Sequence, residues 1–228
     1  MPFETLQKVF VEQIKSCKGM VVTAMPFDGP LVAKRMWCLF EAVMATIHHI
    51  PITVVLPKSE EKRLCERIKR IDDDNDDIMV AVMQAIDSRE AGATMREDLE
   101  NIRRLIETQV SGGYGAVDEI FKGVIRQWVV GLLSKLIGTF EEGSWDQGSF
   151  AQKACIIMRR AGYYEDAILL GVKSLEVDLQ AHGPEHPNVA ASYCNRGTVY
   201  QQTGDSNKAA EYFQMALAIL LKTLGPEH

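Results

Sequence analysis

Two stretches of the sequence, GYYEDAILLGVKSLEVDLQAHGPEH (162–186) and GDSNKAAEYFQMALAILLKTLGPEH (204–228), lie over one another without a gap. Gly162 falls on Gly204, Ala167 on Ala209, Leu175 on Leu217 and Leu179 on Leu221, and GPEH at 183–186 recurs at 225–228. Every match is displaced by 42 positions (162 to 204, 183 to 225). A constant displacement of this size marks a helical solenoid, in which hairpins that cannot bury their apolar faces alone stack into one continuous core. The residue types predict the hairpin geometry. Gly162 and Gly204 supply turns that call for positive φ. Ala167 and Ala209 are small where helices must approach, and Leu175, Leu179, Leu217 and Leu221 are expected to form the packed ridge. Pro187 opens the next helix, where a missing N–H costs nothing.

Working outward, YCNRGTVYQQTG (193–204) is followed by Ala209, by Ala216 with Leu217, and by LGPEH (224–228). This pattern resembles the kinesin-light-chain class of tetratricopeptide repeat and covers residues 150–228. The resemblance implies that the first helix of each hairpin lines a concave groove for peptide segments. It places Asn195 against a ligand backbone and Tyr200 in the same groove. Arg196 and Gly197 depart from the Leu-Ala usual in that class.

Upstream the pattern changes kind. Thr5 to Cys17 is an amphipathic helix candidate, with Leu6, Val9, Phe10 and Ile14 on one face. Met20 to Ala24 is a short β-branched run suited to a buried strand, and Leu31 to His48 reads as one helix. Ile52 to Leu56, bounded by Pro51 and Pro57, is a second strand candidate. Strand, helix, strand with short connections predicts a βαβ unit and a parallel sheet. Ser59 to Arg70 is a charged helix; Ile78 to Ile86 fits a strand or a helix equally. Glu97 to Val110 and Val117 to Leu136 read as helices separated by a break at Gly112 to Gly115. The Gly/Ser-rich run from Gly138 to Ser149 reads as a linker. The expected organisation is therefore an α/β segment with a helical extension (1–137), a linker (138–149) and an all-α repeat solenoid (150–228).

Within the first segment, strand Met20 to Ala24, a turn, and KRMWCLFE (34–41) leading through a helix to strand Ile52 to Leu56 are similar to the third strand, third helix and fourth strand of a TIR domain. The resemblance implies a partial flavodoxin-like, three-layer α/β fold. It places Glu41 on the essential acid of NAD-cleaving members, with Trp37 one turn away on the same helix face to position the ligand. The alternative is that Trp37 packs on the sheet and Glu41 is solvated. The first two strands of a TIR domain have no counterpart, which leaves half a crevice at the strand ends and an unpaired strand edge.

A formal charge of −6 argues against a duplex nucleic-acid binder. The five cysteines (Cys17, Cys38, Cys65, Cys155, Cys194) lack CxxC spacing and fit buried thiols of a reducing cytosol. No secretory signal opens the chain, and Val124 to Ile137 is too short and polar to span a bilayer. The expected location is cytoplasmic, and both ends read as cut from a longer protein. The acidic run Asp72 to Asp77 fails as a calcium loop because Asp77 stands where glycine is needed and Met83 where glutamate is. Gly113 to Gly115 lacks a dinucleotide loop's third glycine, and His48 and His49 find no further ligands for zinc. His186 reads as part of the turn between hairpins.

The expectation is thus a scaffold binding protein or peptide partners, or a second copy of itself, with no metal and no cofactor. The competing expectation is an NAD-cleaving hydrolase using Glu41, regulated by the repeats, for which NAD is the ligand.

Overall fold

The computed structural model describes residues 3–71 and 77–225; the acidic run 72–76 and residues 226–228 lie outside them. The described residues fall into two compact units. One comprises the chain up to Leu64 with Val80–Val129, the other Cys65–Met79 with the chain from Val130 onward.

The first unit begins with helix α1 (Phe3–Ser16), strand β1 (Met20–Thr23), helix α2 (Met36–Ile47) and strand β2 (Ile52–Val55). β1 and β2 pair in parallel, Met20 opposite Ile52 and Thr23 opposite Val55, so the expected βαβ unit forms. The sheet has these two strands among the described residues, which is the strand–helix–strand part of the partial three-layer fold implied by the TIR resemblance and no more. Helix α2 differs from expectation. Leu31–Lys34 forms a separate 3-10 turn, and Arg35 is extended at φ −112° and ψ 112°. The cause is backbone pairing with Gly92, whose N–H donates to the Lys34 carbonyl at 3.0 Å and whose carbonyl accepts from Met36 N–H at 2.9 Å. An outside acceptor thus satisfies a first-turn donor of α2, which has no side-chain cap. Helix α3 (Lys58–Lys69) follows β2. Arg63 joins it to the turn before α2, pairing with Glu60 at 2.9 Å and Asp28 at 2.7 Å.

Ile78–Gln84, undecided in sequence, is helix α4. Helix α5 (Arg96–Gln109) buries Ile102, Leu105 and Ile106, and α6 (Gly113–Ile137) starts within the glycines expected to break the chain. Gly112 and Gly113 take positive φ of 92° and 57°, so the break is confined to the turn before α6. Buried Ser88 closes the loop after α4: its N–H donates to Asp118 Oδ1 at 2.8 Å and its hydroxyl to the Tyr114 carbonyl at 3.2 Å.

In the second unit the Gly/Ser-rich run expected as a linker is half helix. Helix α7 (Trp145–Arg160) begins inside it, capped by Ser144, whose hydroxyl accepts from Gln147 N–H at 3.2 Å. Gln147 in turn accepts from Gly143 N–H at 2.9 Å and donates to the Ile137 carbonyl at 3.2 Å. Serine followed three residues later by glutamine is helix-start chemistry, and the same residue types compose flexible linkers. Helices α8 (Tyr164–His182), α9 (Pro187–Gln202) and α10 (Ser206–Leu224) complete the unit.

Candidate functional site

The four terminal helices repeat at the displacement the sequence predicts. α9 starts 42 residues after α7 (145, 187), and α10 starts 42 after α8 (164, 206); each pair is equal in length. α7 packs on α8, α8 on α9 and α9 on α10, and α7 also touches α9, so the two first helices are neighbours on one side of the stack. Gly162 and Gly204 end the first helices at φ 80° and 84°, conformations that L side chains rarely adopt. Ala167 and Ala209 are buried at the starts of the second helices. His186 caps α9, its ring Nδ1 accepting from Asn188 N–H at 3.1 Å, with Pro187 in the first turn.

The leucine ridge is only half buried. Leu175 lies in a core with Val189, Ala190, Ala216 and Ile219, and Leu179 packs against it. Leu217 and Leu221 are 55% and 48% exposed, contrary to expectation. The reason is position: α9 and α10 cover the face that Leu175 occupies on α8, and no described helix covers the equivalent face of α10.

Asn195 is half-exposed on α9, next to Cys194 and Arg196. Its counterpart on α7, Lys153, donates its ammonium to the Lys69 carbonyl at the end of α3, at 2.6 Å. Tyr200 is engaged within its own hairpin. Its ring stacks on Tyr212 at 5.4 Å and 5°, and the Lys208 ammonium lies 5.1 Å from its centroid. Arg196 stands over Tyr212 at 4.5 Å. The unusual Arg-Gly pair has a steric account: glycine at 171 leaves room for the Arg196 stem, and glycine at 197 for the Phe213 ring.

Where the hairpins join lies a buried polar network that sequence reasoning missed. Asp178 accepts on Oδ2 from Ser192 Oγ at 2.6 Å and from Gln152 Nε2 at 3.0 Å, and Ser174 Oγ lies 2.9 Å from Ser192 Oγ. Asp178, Ser174 and Ser192 are buried. A serine four residues before an aspartate on α8 was the one available signal, and it is common on solvated helix faces as well.

In the first unit, a cavity of about 260 Å³ runs beside β1, lined by all four strand residues with Leu31, Val32, Arg35, Cys38 and Glu41. Burial pushes the Glu41 carboxyl above its usual range, against the pull of the Arg35 guanidinium. Burial and the Glu41 charge raise the Cys38 thiol, Arg35 again opposing. Trp37, half-buried one turn before Glu41, is not among the lining residues. The structure therefore brings Glu41, Arg35 and Cys38 together and leaves Trp37 outside.

Among the described residues no cluster of three histidine, cysteine or carboxylate side chains is placed to hold a metal ion, and no helix is long and apolar enough to cross a membrane. No curated protein and no solved structure matches the chain. Residues 151–222 match the tetratricopeptide repeat family model. Sequence period, helix geometry and family match coincide over one segment: α7 to α10 are tetratricopeptide repeats, a class that generally mediates protein–protein interaction.

Proposed function

We propose that the chain is a scaffold that binds a peptide segment of a protein partner along the side of the stack where α7 and α9 adjoin. The observation that supports it is the repetition of both helices of the hairpin at one displacement, which sets the first helices side by side, as repeat-built binding surfaces require. Asn195, half-exposed on α9, carries an amide that can both donate and accept and so suits a peptide backbone. With the Tyr200 ring already stacked on Tyr212 and approached by the Lys208 ammonium, Asn195 carries the groove assignment. The kinesin-light-chain likeness of residues 193–204 supports this peptide-binding mode. The test is binding of an immobilised random-peptide library by the whole chain, repeated with Asn195→Ala. Peptides retained by the native chain and lost from the variant, at unchanged melting temperature, support the assignment; identical retention overturns it.

A second reading, hydrolysis of NAD in a TIR-like signalling segment, draws on the placement of Glu41 in the cavity beside β1. In that reaction water adds to the ribose carbon as the bond to nicotinamide breaks, and a carboxylate offsets the positive charge developing on the ribose. The cavity, about 260 Å³, lies below the range of ligand pockets, roughly 300–1,000 Å³. Nicotinamide release by the native chain and its loss in Glu41→Ala would support this reading; no release from the native chain would exclude it.

A further inference from the structure

We propose that the joint between the two hairpins is a proton-sensitive clasp: acid uncaps α9 through His186 and loosens the second hairpin from the first. The rings of His182, in the last turn of α8, and His186, just ahead of α9, stack with centroids 4.1 Å apart and planes 19° from parallel. Asn188 holds both. Its backbone N–H donates to His186 Nδ1 at 3.1 Å, and its side-chain nitrogen lies 3.2 Å from His182 Nε2. The two bonds answer a proton differently. An amide can turn to offer oxygen in place of nitrogen, so His182 keeps a partner in either state. A backbone N–H cannot reverse. A proton arriving on His186 goes to Nδ1, where it removes the acceptor of the cap and leaves two N–H groups facing each other. The charge then stands at the positive end of α9 and, once His182 is charged as well, ring against ring with a like charge.

The repeat supplies the contrast. Position for position, Ser144 stands where His186 does, and it caps α7 with a hydroxyl that does not titrate near neutrality. Phe140 and Leu224 stand where His182 does, so the histidine pair is particular to this joint. Charged groups border the turn on several sides. Glu185, within it, is held by Lys222 of α10 at 2.7 Å. Asp178, one turn back on α8, receives Ser192 and Gln152. The loop before α7, which comes close to Ala181 at Gly143, carries Glu141 and Glu142; the first turn of α9 carries no charged side chain. Among the described residues none of these groups bonds to either imidazole. Because α9 carries Asn195, acid also weakens ligand retention under the peptide-groove reading; the joint itself can be followed without a ligand, independently of that reading.

The cap is whole while Nδ1 is unprotonated and is lost as pH falls through the ordinary histidine range, about 6.5. The experiment follows amide hydrogen exchange by mass spectrometry in the whole chain, about one pH unit above and below that value, with intrinsic rates divided out. Protection of the fragment at the start of α9 should fall at least about fivefold in acid, as for a lost cap. Protection at the start of α7, capped by Ser144, should hold. His186→Ser should abolish the fall, since the cap it restores does not titrate. In thermal melts the native chain should lose about 2–4 °C more than His186→Ser over the same interval. Equal protection at the start of α9 at both pH values in the native chain overturns the proposal without any variant. Parallel losses in the native chain and His186→Ser assign the acid sensitivity to other groups and overturn it as well.

Discussion

Gly197 of α9 lies directly under the ring of Phe213 on α10: a β-carbon at 197 would stand 2.7 Å from Cε1 and 2.8 Å from Cδ1. At the equivalent place in the first hairpin the sizes are exchanged. Cys155 occupies the position of Gly197 and Gly171 that of Phe213, with the Cys155 sulfur 3.3 Å from where a β-carbon on Gly171 would be. One hairpin fills the crossing from its second helix and the other from its first. Gly197→Ala gains about 1 kcal/mol of helix propensity, but overpacking against a rigid ring costs about 1–3 kcal/mol. The expected outcome is a melting temperature lowered by a few degrees. Adding Phe213→Leu should recover part of the loss, and a thermal double-mutant cycle measures the coupling.

The joint between hairpins depends on Ser192 donating to Asp178. Ser192→Ala removes the shorter of the two hydrogen bonds received by the buried carboxylate. A loss of about 1–3 kcal/mol is expected, since a buried acceptor is left under-satisfied. Urea unfolding followed by far-ultraviolet circular dichroism checks it; a midpoint unchanged from the native chain would show that the carboxylate finds another donor.

Glu41 has its carboxyl raised by burial from an ordinary value of about 4.5. A raised carboxyl binds its proton more tightly folded than unfolded, so its contribution is most favourable below the unfolded value and is lost as pH climbs through the folded one. Glu41→Gln should therefore raise the melting temperature at pH 7, with the gain shrinking toward pH 4. Melting curves across that range test the sign. A variant less stable at pH 7 would place Glu41 in a favourable ion pair instead.

Thiol labelling should separate the cysteines by burial. Burial pushes the Cys155 thiol up to about 11, against the pull of Arg159 and Arg196, and its S–H donates to the Ala167 carbonyl at 3.2 Å. Cys17 is exposed. At pH 8 a maleimide should modify Cys17 rapidly and Cys155 only after denaturant is added, because the thiolate is the reactive form. Mass spectrometry of tryptic fragments identifies the order.

The repeat was legible because a 42-residue recurrence survives in the residues that geometry constrains most: glycines at positive φ, alanines at crossings, proline in a first turn. The βαβ unit was legible from β-branched runs between turn residues. What sequence could not show depends on contacts distant in the chain. The break at Arg35 is caused by Gly92, 57 residues on. The helix start at Ser144 was hidden because capping residues and linker residues are the same types. Leu217 and Leu175 are identical in type, and only the presence of a covering helix distinguishes a buried leucine from an exposed one. At the candidate sites, sequence pointed to Glu41 and Asn195; that Trp37 does not line the cavity and that Tyr200 is stacked within its hairpin follow from rotamers and neighbours.

The ammonium of Lys153 rests on the carbonyl that ends α3, so part of the inner wall of the first hairpin is already occupied by the chain's own backbone. In the proposed groove, a ligand lying past Asn195 would meet this contact one repeat away. The reading frame available to it is correspondingly short, and lengthening a bound segment in that direction should add little grip unless that contact is first released.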